Sequence, residues 1–429
     1  MKETKKINIM KYLFICIIIN LIPIIMLGVF QVSQSLYSKM VYAIFCIQTI
    51  IMIFAIKQKV FSISNKQIYL LLLFIIIQIG SQAVMYLIDK HIEMLDIINI
   101  LCVALNFFIF VICVPKLEVK KQDIMKFMKR MVALGVIACI YNIIINGLDM
   151  IHLINLDSSY SASFSSFFSN RNQFGIFVLI CIISNLYLKN ANKKRYLIIN
   201  LLFVINLVLT MSRTSIMGLV LIYVIKYYLD LKNKKIGKKQ IFNFIIILLL
   251  ITLVVVYLCI STGFVEVFVR LFIRKETLET ASGRTTIWKN GLNIVLDRNI
   301  LTGVGRFKAI EINQREYDST LNQFHNMYIE IFVSFGISGL IIFLTFLIAV
   351  LKSIKRSNCD YKNILVATVV CFWILGFFES FCKFSAGYVD TICTIYLFAI
   401  PLLLSRTNWI IRNIYWICYI NKEYQWNKN

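Results

Sequence analysis

The feature that most constrains this chain is the recurrence of apolar runs as long as a bilayer is thick. Residues 241–260, for example, contain no charged side chain, and about 20 such residues in a helix cross the hydrocarbon core. Lipid offers no partner for backbone N–H and C=O groups, so spanning segments are helices or a closed barrel, and unbroken apolar runs exclude the barrel's alternating pattern. With 59% hydrophobic and only 15% charged residues over 429 positions, the chain is too apolar to be an ordinary aqueous globule. The expectation is an all-α, polytopic integral membrane protein forming a single transmembrane domain over residues 1–429.

Twelve spans are expected, at residues 9–30, 40–56, 67–88, 95–115, 127–146, 173–188, 196–211, 214–230, 241–262, 327–351, 362–381 and 388–405. Lys and Arg favour the cytoplasmic side of short loops. With the N-terminus inside, 31 of the 45 cations fall in inner segments, whereas the five short outer loops carry one each: Lys39, Lys90, Arg171, Arg213 and Lys383. Both termini are then cytoplasmic, and the formal charge of +24 reads as a topology signal and not as a nucleic-acid surface. The other nine cations lie in one large extracytoplasmic loop, residues 263–326. Long loops are exempt from the charge rule, so those cations need another explanation.

Several features are bland by comparison. The twelve cysteines sit mostly inside apolar runs without CxxC spacing and read as small hydrophobes. The apolar run within residues 1–30 is long enough to span and lacks a small-residue cleavage motif, so it is expected to stay. Residues 409–420 mix Trp and Tyr with Arg412, which suits an interfacial helix. The large loop has no carboxylate cluster of the DxD kind, and neither a metal nor a cofactor is expected.

The large loop carries SGRTTIW (282–288), GVGR (303–306) and FHNMYIE (324–330). Ser282 or Thr285 would cap a helix placing Trp288, Leu292 and Val295 along one face, with Arg284 at its start. Asp297 to Asn299 reads as a turn, and Gly303 and Gly305 let the backbone approach another group just before Arg306; a tight turn with a solvated arginine is the plain alternative. His325 would fall in the first turn of span ten, where the helix dipole disfavours protonation and keeps imidazole available as a base. Taken alone, it reads as a structural, hydrogen-bonded histidine before a catalytic one. Gly336 and Gly339 permit a bend further on, His91 and His152 read as solvated, and Glu379 is spaced to pair with Lys383. Arg213 in TMSRTS (210–215) and Arg171 in FFSNRNQFG (167–175) sit beside apolar runs, where an arginine snorkels to lipid phosphate or meets another anion.

SRTS in an outer hairpin, SGR with a Trp four residues after its Arg, GVG and HNMYIEIFVSFGISGL together resemble the O-antigen ligase and O-antigen polymerase superfamily. Ile300 departs from that pattern, standing where many members have a proline. The resemblance implies a GT-C-like membrane glycosyltransferase of the bacterial plasma membrane that uses a glycan on polyprenyl diphosphate, as donor and as acceptor, at the outer leaflet. It further implies functional roles for Arg213, Arg284 and His325, with Arg306, Arg171, Asn326 and Tyr328 as substrate-binding candidates, and a flippase and a chain-length regulator as partners. The chemistry agrees: arginine forks suit a diphosphate leaving group, and imidazole suits proton removal from an acceptor hydroxyl. The expected reaction is a metal-independent inverting transfer. An Ile-, Lys- and Asn-rich vocabulary suggests an AT-rich, Gram-positive source without a lipopolysaccharide core, which favours a polymerase for capsule or exopolysaccharide over a ligase. A transporter, the reading from another class, requires symmetrical halves and functional charges deep in the spans.

Overall fold

The computed structural model describes residues 8–60, 65–89, 93–147, 164–189, 193–233, 284–317 and 323–405. Every regular element among them is helical: α1 (Ile9–Gly28), α2 (Gln34–Val60), α3 (Asn65–Asp89), α4 (Met94–Asn106, continued by a π-helical turn Phe107–Cys113), α5 (Lys121–Ile145), α6 (Arg171–Leu188), α7 (Lys193–Leu209), α8 (Arg213–Lys232), α9 (Arg284–Arg298), α10 (Arg306–Tyr317), α11 (Met327–Arg356), α12 (Lys362–Leu375) and α13 (Tyr388–Thr394, with a π-helical turn Ile395–Ala399 and a last segment Ile400–Ser405). Eight helices (α1, α2, α4, α5, α6, α8, α11, α13) are long and apolar enough to cross a membrane, while α3 and α12 carry shorter apolar stretches. Eleven of the expected spans fall on α1–α8 and α11–α13, but the eleventh, expected to run to 381, ends as a helix at Leu375. The ninth span, the interfacial helix at 409–420, His91, His152 and Ser282 lie outside the described residues.

Membrane helices gain little from hydrophobic association with one another, so small residues and polar side chains have to hold them together. Helix α6 lies at the centre, buried without a break from Phe174 to Tyr187. Its Gly175 is pressed against α8, where an added Cβ would come within 2.5 Å of Ser215 Oγ. Ser184 of α6 shares a 2.6 Å hydrogen bond with Tyr396 of α13, and Ser353 of α11 shares one of the same length with Ser405. Such bonds contribute roughly 0.6–1.7 kcal/mol each in a membrane interior, and the ten described cysteines are all free.

Between α12 and α13, residues 376–387 form no helix yet are largely buried, with Phe381 and Cys382 at 0% exposure. Irregular backbone is tolerated inside a membrane protein only where protein groups satisfy it. Here Asn106 Nδ2, at the end of the regular part of α4, donates to the carbonyls of Phe384 (2.7 Å) and Ser385 (3.1 Å). Asn106 Oδ1 accepts from Gln48 of α2, whose Oε1 in turn accepts from Asn20 of α1 at 2.5 Å. Ser385 Oγ completes the seam by donating to Asn99 of α4. Three helices therefore fix the shape of this segment, which has direct consequences for Glu379.

The other connection that shapes the site runs from α9 to α11. Helix α9 buries Ile287, Gly291, Ile294 and Val295, so its inward face is offset from the expected one: Val295 belongs to it, but Leu292 is 40% exposed. Gly291 presses against the Phe324 ring, so the backbone-to-side-chain fit, and not the spacing of large apolar residues, sets the rotation. Asp297 and Arg298 belong to the last turn of the helix, and the reversal starts at Asn299. Gly303 has φ +76° and Gly336, which kinks α11, has φ +65°, a region open to glycine without steric cost. A Cβ on Gly303 would come within 2.6 Å of the Gly336 amide nitrogen, and the two strands of chain are stitched by Val304 N–H to Val333 O and Ile337 N–H to Ile300 O.

Candidate functional site

Glu379 is the group on which the site's elements converge. Its Oε1 accepts from Asn172 Nδ2 of α6 (3.1 Å) and from Thr214 Oγ1 of α8 (3.4 Å). Arg284 of α9 reaches the same oxygen at 3.4 Å and donates its other terminal nitrogen to the Phe378 carbonyl. The other carboxylate oxygen stands 4.0 Å from His325 Nδ1. Glu379 itself is largely buried, with 9% of its side chain exposed, against 20% for His325 and 23% for Arg284. Four separate pieces of chain thus bring a cation, an imidazole and hydrogen-bond donors to one carboxylate.

Local sequence explains each approach. FHNMY is tied to the end of α12: Met327 N–H donates to Gly376 O, Asn326 Nδ2 to Phe377 O and Tyr328 Oη to Trp373 O. Asn326 also caps α11, its Oδ1 accepting from the amides of Tyr328 and Ile329, as a short polar side chain does at that position. His325 therefore precedes the cap and does not sit in the first helical turn, because Asn326 takes the capping role. It adopts φ +52°, which histidine tolerates better than most residues, and Gln323 Nε2 lies 3.2 Å from its Nδ1. Trp288 stands one turn after Arg284 on α9 and donates its indole N–H to the Phe324 carbonyl at 2.9 Å, so the spacing of Arg and Trp fastens the arginine's helix to the histidine's strand.

Arg213 opens α8, exposed, immediately before the Thr214 that touches Glu379, with Ser212 and Ser215 turned inward and hydrogen-bonded to each other at 3.0 Å. Arg171 opens α6 immediately before Asn172. The structure thus brings Arg284 and His325 to Glu379 directly and sets Arg213 and Arg171 one residue from groups that touch it.

The remaining candidates are engaged elsewhere. Arg306 is not a solvated loop arginine: its Nε lies 3.3 Å from Glu330 Oε2, and the Glu330 side chain has no exposure. Glu330 Oε1 accepts from Phe324 N–H at 2.9 Å, so this pair supports the histidine's strand from behind. The close approach allowed by Gly305 is to the protein itself. Asp96 of α4 occupies the N-terminus of α10, accepting from the Phe307 and Lys308 amides at 2.9 and 2.8 Å, where a carboxylate complements the helix dipole. Asn326 and Tyr328 use their side chains on backbone partners, as above.

One correction concerns charge. Glu379 does not simply pair with Lys383: the segment between them is not helical, so four-residue spacing does not put them side by side, and Lys383 donates its backbone N–H to Asp390. The spans also carry charge in Asp96 and in a Lys226–Asp230 pair at 2.5 Å in α8. Glu379 is what sequence reasoning undervalued; the signal was a carboxylate leaving an apolar run at the same end as Arg213, Arg171 and His325.

Backbone strain is concentrated at the same end. The six described non-glycine residues with positive φ are Gln31, Ser166, Met211, His325, Cys382 and Phe384; five of them lie in the segments leading to α6, α8 and α11 or in the Glu379 segment. Such strain persists only where the surroundings over-determine it, and it collects at functional sites. Serine 166 illustrates the fixation, its amide donating to Asn142 Oδ1 and its hydroxyl to Ala138 O.

Comparison with curated proteins finds no match. A family model described as O-antigen ligase matches residues 198–344, the stretch that contributes Arg213, Arg284, Arg306 and His325. Over residues 198–344 the chain is therefore similar to O-antigen ligases, in line with the order of its motifs and its helical membrane architecture.

Proposed function

We propose that the protein polymerises oligosaccharide repeat units carried on polyprenyl diphosphate, by metal-independent inverting glycosyl transfer at the outer face of a bacterial plasma membrane. The observation that carries this reading is the gathering of Arg284, His325, Asn172 and Thr214 at Glu379. An acceptor hydroxyl attacks the anomeric carbon, the bond from that carbon to the diphosphate oxygen breaks, and its electron pair leaves with the diphosphate. The hydroxyl proton passes to His325. The imidazolium so formed faces Glu379 at 4.0 Å, which orients the ring beforehand and balances its charge afterwards, as a carboxylate does behind a general base.

Arg284 and Arg213 receive the developing negative charge of the leaving group, and Arg171 assists. A guanidinium is permanently charged and binds two oxygens in one plane, which suits phosphate better than a point charge does. Arg284 is positioned for this by the Phe378 carbonyl and Glu379. Arg306, Asn326 and Tyr328 act as scaffolding for the histidine's strand in this scheme, since their side chains have protein partners.

Purified protein in lipid nanodiscs, and in parallel in sealed lipid vesicles, given lipid-linked repeat units, tests the proposal. A ladder of lengthening glycans is expected. A single addition to a foreign acceptor identifies a ligase, and uptake into vesicles without any new bond identifies a transporter and overturns the reading.

A further inference from the structure

Beside the site lies a second feature that the transfer chemistry does not use. An open cavity of about 550 Å³ is lined by the end of α1, the start of α2, the segment before α6 and its first turn. Its polar lining consists of Gln34, Tyr37, Ser165, Ser169, Asn170 and Gln173, with Phe168 beside them, and no charged side chain is among its lining residues. The size falls within the range of small-ligand sites.

The wall is fixed in advance. Phe168 is 2% exposed and stacked between Phe167 and Phe174, with ring centroids 4.8 and 5.7 Å away. Gly28 is pressed against the Phe167 backbone, so the two sides of the cavity are held together there. One polar atom in the lining is left unsatisfied: Gln173 Oε1 is buried and has no hydrogen-bond partner among the described residues. A buried amide oxygen without a partner is costly to keep, and a ligand hydroxyl would supply the missing donor.

We infer that this cavity is a carbohydrate subsite that holds sugars of the glycan remote from the reacting one. Amides and hydroxyls without charge match the donor and acceptor hydroxyls of a neutral saccharide. Position supports the same ligand. Asn170 and Gln173 are three residues apart on one side of the first turn of α6, while Asn172 turns to Glu379. The N-terminus of α6 therefore divides the cavity from the reacting centre, and an oligosaccharide bound across it contacts both. The ligand class rests on the transfer reading above; the cavity itself does not.

The test uses the full chain in nanodiscs and, as probe, the repeat-unit oligosaccharide released from the source cell's surface polysaccharide, free of lipid and diphosphate. Saturation-transfer NMR is expected to show binding by the native protein, weakened at least five-fold by Ser169→Trp, which fills the cavity, and by Gln173→Leu. With lipid-linked substrate, Gln173→Leu raises KM several-fold while kcat stays within about two-fold. Equal binding by the native protein and a monodisperse Ser169→Trp variant overturns the subsite, as does a Gln173→Leu effect confined to kcat. Sugar binding that depends on Ser169 without any transfer sinks the transfer reading and keeps the cavity; transfer indifferent to both substitutions does the reverse.

Discussion

Two arginine–glutamate pairs flank the strand that carries His325, and they differ in what surrounds the carboxylate. Arg284 and Glu379 stand 3.4 Å apart with 23% and 9% of their side chains exposed, whereas Arg306 and Glu330 stand 3.3 Å apart with 20% and 0%. Glu379 is approached by α6, α8, α9 and the histidine, through side chains that a substrate could also engage. Glu330 is sealed inside and spends an oxygen on the Phe324 amide. In the proposed scheme these nearly equal distances hide different roles: the first pair poises a cation and a base, and the second holds the backbone behind them.

The sharpest way to separate the pairs is to remove the proposed base. His325→Ala is expected to lower transfer by about 10³-fold or more, within the range of general acid–base catalysis, while insertion and thermal unfolding stay close to the native protein. Arg284→Ala is expected to act in the same direction. Full-length polymer from either variant at normal levels ends the assignment.

Glu330→Ala should do the opposite, chiefly damaging stability. Breaking a buried pair leaves an uncompensated charge and costs about 3–5 kcal/mol, with the lower end expected because Arg306 is partly exposed. The readout is unfolding in detergent. Restoration by a second substitution, Arg306→Met, is the sign that charge burial, and not lost chemistry, caused the defect.

Glu379→Gln lies between these extremes. It keeps the hydrogen-bond acceptor but removes the charge that faces Arg284 and His325, so kcat is expected to fall about 10- to 100-fold, equivalent to about 1.4–2.7 kcal/mol, with KM little changed. A fall in stability equal to that of Glu330→Ala would erase the distinction drawn between the two carboxylates.

The smallest effect is expected from a third pair, Arg298 of α9 with Glu316 of α10 at 2.6 Å, whose carboxylate stands at the surface. Contact with Arg315 and Arg298 holds the Glu316 carboxyl below its ordinary value. A depressed carboxyl contributes stability that is present above its unfolded value and lost as pH falls through the folded one. Arg298→Ala should cost under about 1 kcal/mol, as exposed pairs do, and the difference from native should vanish in acid. A larger or pH-independent loss, followed by thermal unfolding across pH, would show that Arg298 acts through packing.

The helical class, eleven of the expected span positions and the pairing of Arg284 with Trp288 as one helical turn were legible in the chain, because apolar run length and helical spacing are local properties. The matching of Gly303 to a close approach was legible as well, but its object was not. Only the folded structure reveals that the approach is to Gly336, or that Asp96 fills the neighbouring helix N-terminus where a substrate phosphate could have been imagined. The inward face of α9 escaped for a related reason: Gly291 and the Phe324 ring decide it, and a glycine contributes nothing to an apolar pattern.

By itself, the sequence determined that the chain is a bundle of membrane helices with cations at particular ends, since lipid forbids unpaired backbone and a helix must be long enough to cross it. The tertiary structure alone decided which arginine meets which carboxylate. Glu379 lies 95 residues from Arg284 and 207 from Asn172 in the chain, on a segment whose path is set by Asn106, Asn99 and Gln48 of other helices. Interactions fixed by such distant partners leave no periodic trace, and for that reason the carboxylate at the centre of the site could be seen only once the helices were packed.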